Sequence, residues 1–249
     1  MTENLTFLLM VVYFERPIMV RNVLESISRL TYPNWELAFI DDGSIQKGEP
    51  IVKEILGEYS DKIKLYYNEE TVEHKLANEG SMVGSFMNRA MEESAADVVI
   101  ILCDDDAIVE NSLEYLNEFY KKYEEIMYAY SHVIEFNPFT EKPVQPLAPR
   151  HSWFNRTTKR HYPACQFDCS QMTFRRKCYT DGMVRCPFPQ TTSIDAKLWE
   201  QLHKAYGDAY FTGGFTQYKG IYGKQMGRRK DAYDVQDLEE DYHGMERRD

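Results

Sequence analysis

Four apolar runs, each short enough for a strand, alternate along the first half of the chain with stretches whose apolar residues recur at helical spacing. Leu5 to Tyr13, LTFLLMVVY, is continuously apolar, which suits a central strand buried on both faces. Pro17 opens a stretch with Val20, Val23, Leu24, Ile27 and Leu30 on one side, and proline is favoured in a first helical turn. Leu37 to Ile40 predicts a second strand, Ile51 to Tyr59 a short helix, and Ile63 to Tyr67 a third strand. Ser81 to Ser94 predicts a helix with Val83, Phe86, Met87, Ala90 and Met91 on its buried face. Val98 to Cys103 predicts the fourth strand, and a helix beginning near Asn111 buries Leu113, Leu116, Phe119 and Tyr120. This alternation implies an α/β fold with a mainly parallel central sheet flanked by helices.

After Tyr128 the pattern loosens. Met127 to Phe136 predicts a strand, and Asn137 to Pro163 is a basic, aromatic connection too long for a plain turn. Ser170 to Cys178 begins as a strand and continues as a helix, and Ile194, Leu198, Trp199 and Leu202 give one more helical face. From Gln217 onward the chain turns polar and charged, as a lid or a disordered tail does. We read one domain over 1–249, with a first half at 1–126, an irregular second half at 127–222 and a charged tail at 223–249.

Two of the strands run straight into acids. Leu37 to Ile40 leads to Asp41, Asp42, Gly43 and Ser44, and Val98 to Cys103 leads to Asp104, Asp105 and Asp106. Gathered carboxylates repel unless a cation or a proton offsets them, so a triplet at one strand end suggests a metal. A solvated acidic turn accounts for the triplet taken alone, and Asp41 to Ser44 is turn chemistry in its own right. Position favours chemistry, because ligands of parallel sheets bind beyond the carboxyl ends of the strands. The first strand ends in FERP, with no glycine-rich phosphate loop, which argues against a dinucleotide fold or a P-loop.

A formal net charge of -11 argues against wrapping nucleic acid by bulk electrostatics. A local basic and aromatic face at Arg150 to Tyr162, with Trp153, Phe154, Arg156 and Arg160, keeps a sugar, a nucleotide or a single strand open as its ligand. The five cysteines are an odd count, and four of them fall between Cys165 and Cys186 without the tight C-x2-C spacing of common zinc sites. Reduced, buried thiols are the expectation. No apolar run reaches roughly 18 residues, and the N-terminus lacks signal-peptide features, so a cytoplasmic protein without a membrane span is expected.

The ordered motifs VVYFERP, FIDDGS, ILCDDDAIVENSLEYL, SQMTFRRKCYTDGM and SIDAKLWEQL resemble those of nucleotide-sugar glycosyltransferases of the A-type (GT-A) fold, within glycosyltransferase family 2. The resemblance implies a UDP-sugar donor and a metal-dependent, inverting, non-processive transfer to an acceptor hydroxyl. Donor nucleotide contacts would fall to Phe14, Glu15, Arg16, Asp41, Asp42, Asn88, Arg89, Asp104 and Asp105. Asp104 and Asp106 would hold Mn2+ or Mg2+, since alternate residues of an extended chain point the same way and Asp105 would point away. Asp195 would be the general base, although a carboxylate at a helix N-terminus also has a purely structural use. Tyr222, Lys224 and Arg228 would meet the diphosphate, and Trp153, Arg156, Arg160 and Trp199 the acceptor. The acceptor itself is open: a glycan is favoured, and a hydroxylated nucleic-acid base fits the basic face.

Three departures from the family's pattern stand out. Met87 precedes Asn88 and the arginine, Arg89, follows it; Ile194 stands where a second acid would flank Asp195; Tyr222 stands where a late histidine is common. The Q-x-x-R-W motif of processive synthases is absent. A saccharide- or nucleic-acid-binding module without turnover and a sugar-phosphate nucleotidyltransferase are the alternatives on the same scaffold.

Overall fold

The computed structural model describes residues 3–69, 82–136, 143–145, 160–161, 169–187 and 194–220. Its first half follows the apolar pattern closely. The strands are β1 (Phe7–Tyr13), β2 (Trp35–Asp41), β3 (Ile63–Tyr67) and β4 (Val98–Cys103). They alternate with helices α1 (Pro17–Ser28), α2 (Glu49–Leu56), α3 (Val83–Glu93) and α4 (Ser112–Lys122). Between β4 and α4 lies a two-residue strand, β5 (Ala107–Ile108).

The second half adds β6 (Tyr128–Phe136), β7 (Pro143–Gln145), β8 (Arg160–His161) and β9 (Met172–Arg175). Helices α5 (Lys177–Thr180) and α6 (Ile194–Tyr206) follow, and then the long strand β10 (Ala209–Gly220). One sheet runs through both halves in the order β3-β2-β1-β4-β9-β6-β10-β5, with β7 on β6 and β8 on β10. The long ladders, β1 with β2, β1 with β4, β2 with β3 and β6 with β10, are parallel. The short strand β9 is antiparallel to both β4 and β6.

Burial explains why the central strands are apolar on both sides. Phe7, Leu9, Val11 and Tyr13 pack toward α1, α2 and α4, whereas Leu8 and Met10 pack toward α3 and α6. Each such fully buried side chain contributes about 1.5–3 kcal/mol relative to exposure. α6 turns Leu198, Trp199 and Leu202 onto this second layer beside Met172 and Phe174.

The chain does not become a tail at Gln217. That residue is buried within β10, between Ile108 of β5 and Val133 of β6. β10 escapes the apolar pattern because Gly213 and Gly214 interrupt it, with Gly213 at φ 94°. Pairing with β6, β5 and β8 makes it a strand where its own propensity does not. The connection expected to be irregular over Asn137 to Pro163 carries β7 and β8. Among the described residues, no helix is long and apolar enough to cross a membrane.

Candidate active site

Both acidic clusters sit at the carboxyl ends of neighbouring parts of the sheet, but they are built differently. At the end of β2, Asp41 is fully buried and accepts hydrogen bonds from the backbone N–H groups of Ser44 (2.9 Å) and Gly48 (3.0 Å). Its carboxylate folds the turn, which Gly43 closes at φ 82°. Asp42 lies beside it, with one carboxylate oxygen accepting from the Asn68 side-chain amide at 3.2 Å. The Asn68 backbone N–H donates in turn to the Asp41 carbonyl.

At the end of β4, Asp104, Asp105 and Asp106 are all buried. The Asp104 carboxylate accepts from the Phe14 backbone N–H (3.0 Å) and the Arg16 Nε (3.2 Å), and is ion-paired with Arg16 Nη2. Arg16 Nη1 reaches Asp105 at 3.0 Å. Burial pushes the Asp104 carboxyl up to about 6, Arg16 opposes the rise, and the neighbouring Asp105 adds to it. Asp106 faces elsewhere. It accepts from the backbone N–H groups of Cys103 (3.4 Å) and Gly220 (3.3 Å) and lies 3.3 Å from Lys219 Nζ. Burial works against the Lys219 ammonium, but Asp106 and the neighbouring thiols hold its pKa well above the ordinary lysine value.

This arrangement corrects the expectation that Asp104 and Asp106 point together and Asp105 away. The Asp106 N–H bonds back to the Cys103 carbonyl at 3.2 Å, so the chain turns at the end of β4 and loses the two-residue alternation of an extended strand. Asp104 and Asp105 share Arg16, and Asp106 belongs with Lys219. Carboxylate oxygens are the donors a hard divalent ion such as Mn2+ or Mg2+ takes, but among the described residues Asp104 and Asp105 do not converge with Asp106, whose close neighbours are the Cys103 and Cys169 sulfurs. The two cationic side chains, Arg16 and Lys219, offset two of the three charges.

The turn after β1 supplies the partners. Glu15 adopts φ 51°, alone among the described non-glycine residues in the left-handed region. Its N–H donates to Ser44 Oγ at 3.1 Å and its carboxylate accepts from the Ile45 N–H, which joins the two acidic ends. Phe14, Glu15 and Arg16 therefore stand beside both acidic strand ends.

The other expected residues have the following surroundings. Asn88 spends its side-chain amide on the backbone of Cys186, with both bonds at 2.9 Å. Arg89 is 63% exposed and paired with Glu93 one helical turn on. Trp199 is 1% exposed and packs edge-on against Phe174, so its ring is core and offers no face to an acceptor. Asp195 stands in the first turn of α6, where its carboxylate accepts from the Ala196 N–H at 2.8 Å. Arg160 lies in β8, opposite Tyr210 of β10. Trp153, Arg156, Tyr222, Lys224 and Arg228 lie outside the described residues. Sequence reasoning missed Lys219, Gly220 and Asn68. Their only signal was proximity in the chain to a strand end, and for Lys219 and Gly220 that strand was itself unseen.

Solved structures share this architecture. The crystal structure of S. aureus TarS matches with a TM-score of 0.65 and 15% identity, over 87% of this chain and 37% of that one. S. aureus TarS 1-349 in complex with UDP-GlcNAc matches at 0.63 and 16%, over 94% and 65%. The same fragment in complex with UDP matches at 0.60 and 14%, over 87% and 60%. This chain thus spans 37% to 65% of the length of those chains, and at these identities the likeness establishes the GT-A fold. No curated protein matches the sequence. The family model described as glycosyl transferase family 2 matches residues 8–181, a span that holds both acidic strand ends, the Arg16 turn and β9, and the chain belongs to that family.

Proposed function

We propose that this chain transfers one sugar from a UDP-sugar donor to an acceptor hydroxyl, with metal assistance, inversion at the anomeric carbon and a single addition per encounter. The observation that carries the reading is the buried Asp104–Asp106 triplet at the rim of β4, cradled by the Arg16 turn and flanked by Asp42 at the neighbouring acidic end. Family membership supports the reaction class, and the UDP and UDP-GlcNAc complexes of a protein of the same fold support the donor class.

In this scheme Asp42, steadied by Asn68, accepts a hydrogen bond from the uracil base. The triplet carboxylates would hold Mn2+ or Mg2+, which when bound would screen the diphosphate and the charge of the departing UDP. Arg16, Lys224 and Arg228 add positive charge near the phosphates, and the Tyr222 hydroxyl donates a hydrogen bond to them. Asp195 removes the acceptor hydroxyl proton as that oxygen attacks the anomeric carbon and the bond to the β-phosphate breaks. The acceptor lies against the second half, with Trp153, Arg156 and Arg160 as its contacts, and a glycan is the preferred class.

Titration calorimetry of the intact chain with UDP and Mn2+ tests the donor site. Saturable binding that disappears on chelation, and in Asp104→Ala or Asp106→Ala, is expected. A chain with no affinity for any nucleoside diphosphate overturns the assignment. The lone Asp195 beside Ile194 favours a second reading, donor binding without turnover. A screen of UDP-sugars for UDP release separates the two, and Asp195→Asn should keep UDP binding while losing transfer.

A further inference from the structure

Cys103 closes β4 immediately before the acidic triplet, and Cys169 opens the 3-10 turn Cys169–Gln171 that leads into β9. Their sulfurs lie 2.9 Å apart although 66 positions separate them in the chain. Cys169 is buried, and Cys103 is the less buried residue of the pair. The other described cysteines, Cys178 and Cys186, are buried in the layer that also holds Met172 and Phe174.

An Asp106 carboxylate oxygen lies within 4.8 Å of both sulfurs, and two sulfurs with one oxygen is also a donor set that zinc accepts. Two observations favour sulfur–sulfur bonding over a metal. Lys219 already sets a positive charge against Asp106 and interacts with both thiols. Thiolates that share one tetrahedral zinc stand roughly 3.8 Å apart, from Zn–S bonds of about 2.3 Å, which is wider than the separation here.

We propose that Cys103 and Cys169 form a reversible disulfide that ties the acid-bearing end of β4 to the start of β9. The oxidant is a low-molecular-weight disulfide such as oxidised glutathione. The Cys103 thiolate attacks one of its sulfurs, forming a mixed disulfide and releasing one small thiolate. Cys169 then gives up its proton and attacks the Cys103 sulfur, releasing the second small thiol. Two protein thiols are oxidised and one small disulfide is reduced to two thiols. A small thiol in excess runs the sequence backwards. The bond would fasten the first half of the sheet to the second within a residue of the triplet. The inference stands on the two sulfurs and is independent of the transfer reaction.

The test uses the intact, fully reduced chain incubated with oxidised glutathione and then mapped by peptide mass spectrometry. The expected product has lost two hydrogens and yields a linked peptide joining Cys103 to Cys169, and dithiothreitol reverses it. The thermal midpoint of the linked form should rise by about 5–10 °C, as closure of a long loop in the unfolded chain predicts. Cys169→Ser should trap glutathione on Cys103, whereas Cys103→Ser should leave Cys169 unmodified. A linkage to another cysteine, a chain that stays reduced, or stoichiometric zinc binding that blocks both thiols overturns the proposal. The mapping on the unaltered chain decides the matter even where a variant fails to fold.

Discussion

The two acidic strand ends look alike in sequence and differ in what they bond. At β2 the carboxylate of Asp41 is consumed by N–H groups three and seven residues away, Ser44 and Gly48. At β4 the carboxylates draw partners from both ends of the described chain, Phe14 and Arg16 on one side and Lys219 and Gly220 on the other. Local bonds make a turn, and distant ones make a site. Gathering three buried acids costs free energy that a turn does not require, and the long-range cations Arg16 and Lys219 offset part of that cost together with backbone N–H groups. Within the β2 cluster the same distinction separates Asp41, which holds the turn, from Asp42, whose side-chain partner Asn68 belongs to the segment after β3.

The sharpest way to break the contrast is Arg16→Ala. It leaves Asp104 and Asp105 buried without their shared guanidinium, and a loss of about 3–5 kcal/mol is expected in urea denaturation. Gly220→Ala should follow closely. A Cβ there would stand 2.0 Å from the Asp105 carbonyl oxygen, so β10 or the triplet must shift, at about 1–3 kcal/mol and with weakened UDP binding by calorimetry. Asp41→Asn tests the other cluster: it weakens two charge-assisted turn bonds and should cost about 1–2 kcal/mol of stability. Its UDP affinity should stay within a factor of three if Asp41 serves the turn alone. Smallest of all, Arg89→Ala should leave the urea midpoint and UDP affinity unchanged, because its pairing with Glu93 is solvent-exposed. A clear loss of nucleotide binding in that variant would return Arg89 to the donor site.

Much of the scaffold was legible because burial imposes itself on composition. LTFLLMVVY and VVIILC have to be central strands, and the faces of α1, α3 and α4 follow from spacing alone. The acidic ends were legible as places. Their internal wiring was not, since the bond from Asp106 N–H to the Cys103 carbonyl turns the chain where alternation assumed extension. Trp199 shows the opposite failure: its helical spacing with Leu198 and Leu202 already marked it as core, and a motif outweighed that signal. Lys219 was out of reach for a different reason. Its strand contains Gly213 and Gly214 and is held by neighbours whose pairing no local pattern reveals.

The antiparallel strand β9 has a consequence for where the site can form. It reverses direction relative to β4, and β6 reverses it again, so the two changes of sign cancel. β6 and β10 therefore point the same way as the four strands of the first half, and all their carboxyl ends open on one rim. Parity, then, is what lets residue 220 arrive beside residue 106. With an even number of antiparallel ladders between the halves, here the two that flank β9, the last strand can close the site opened by the fourth; with an odd number, Lys219 would emerge at the opposite rim of the sheet.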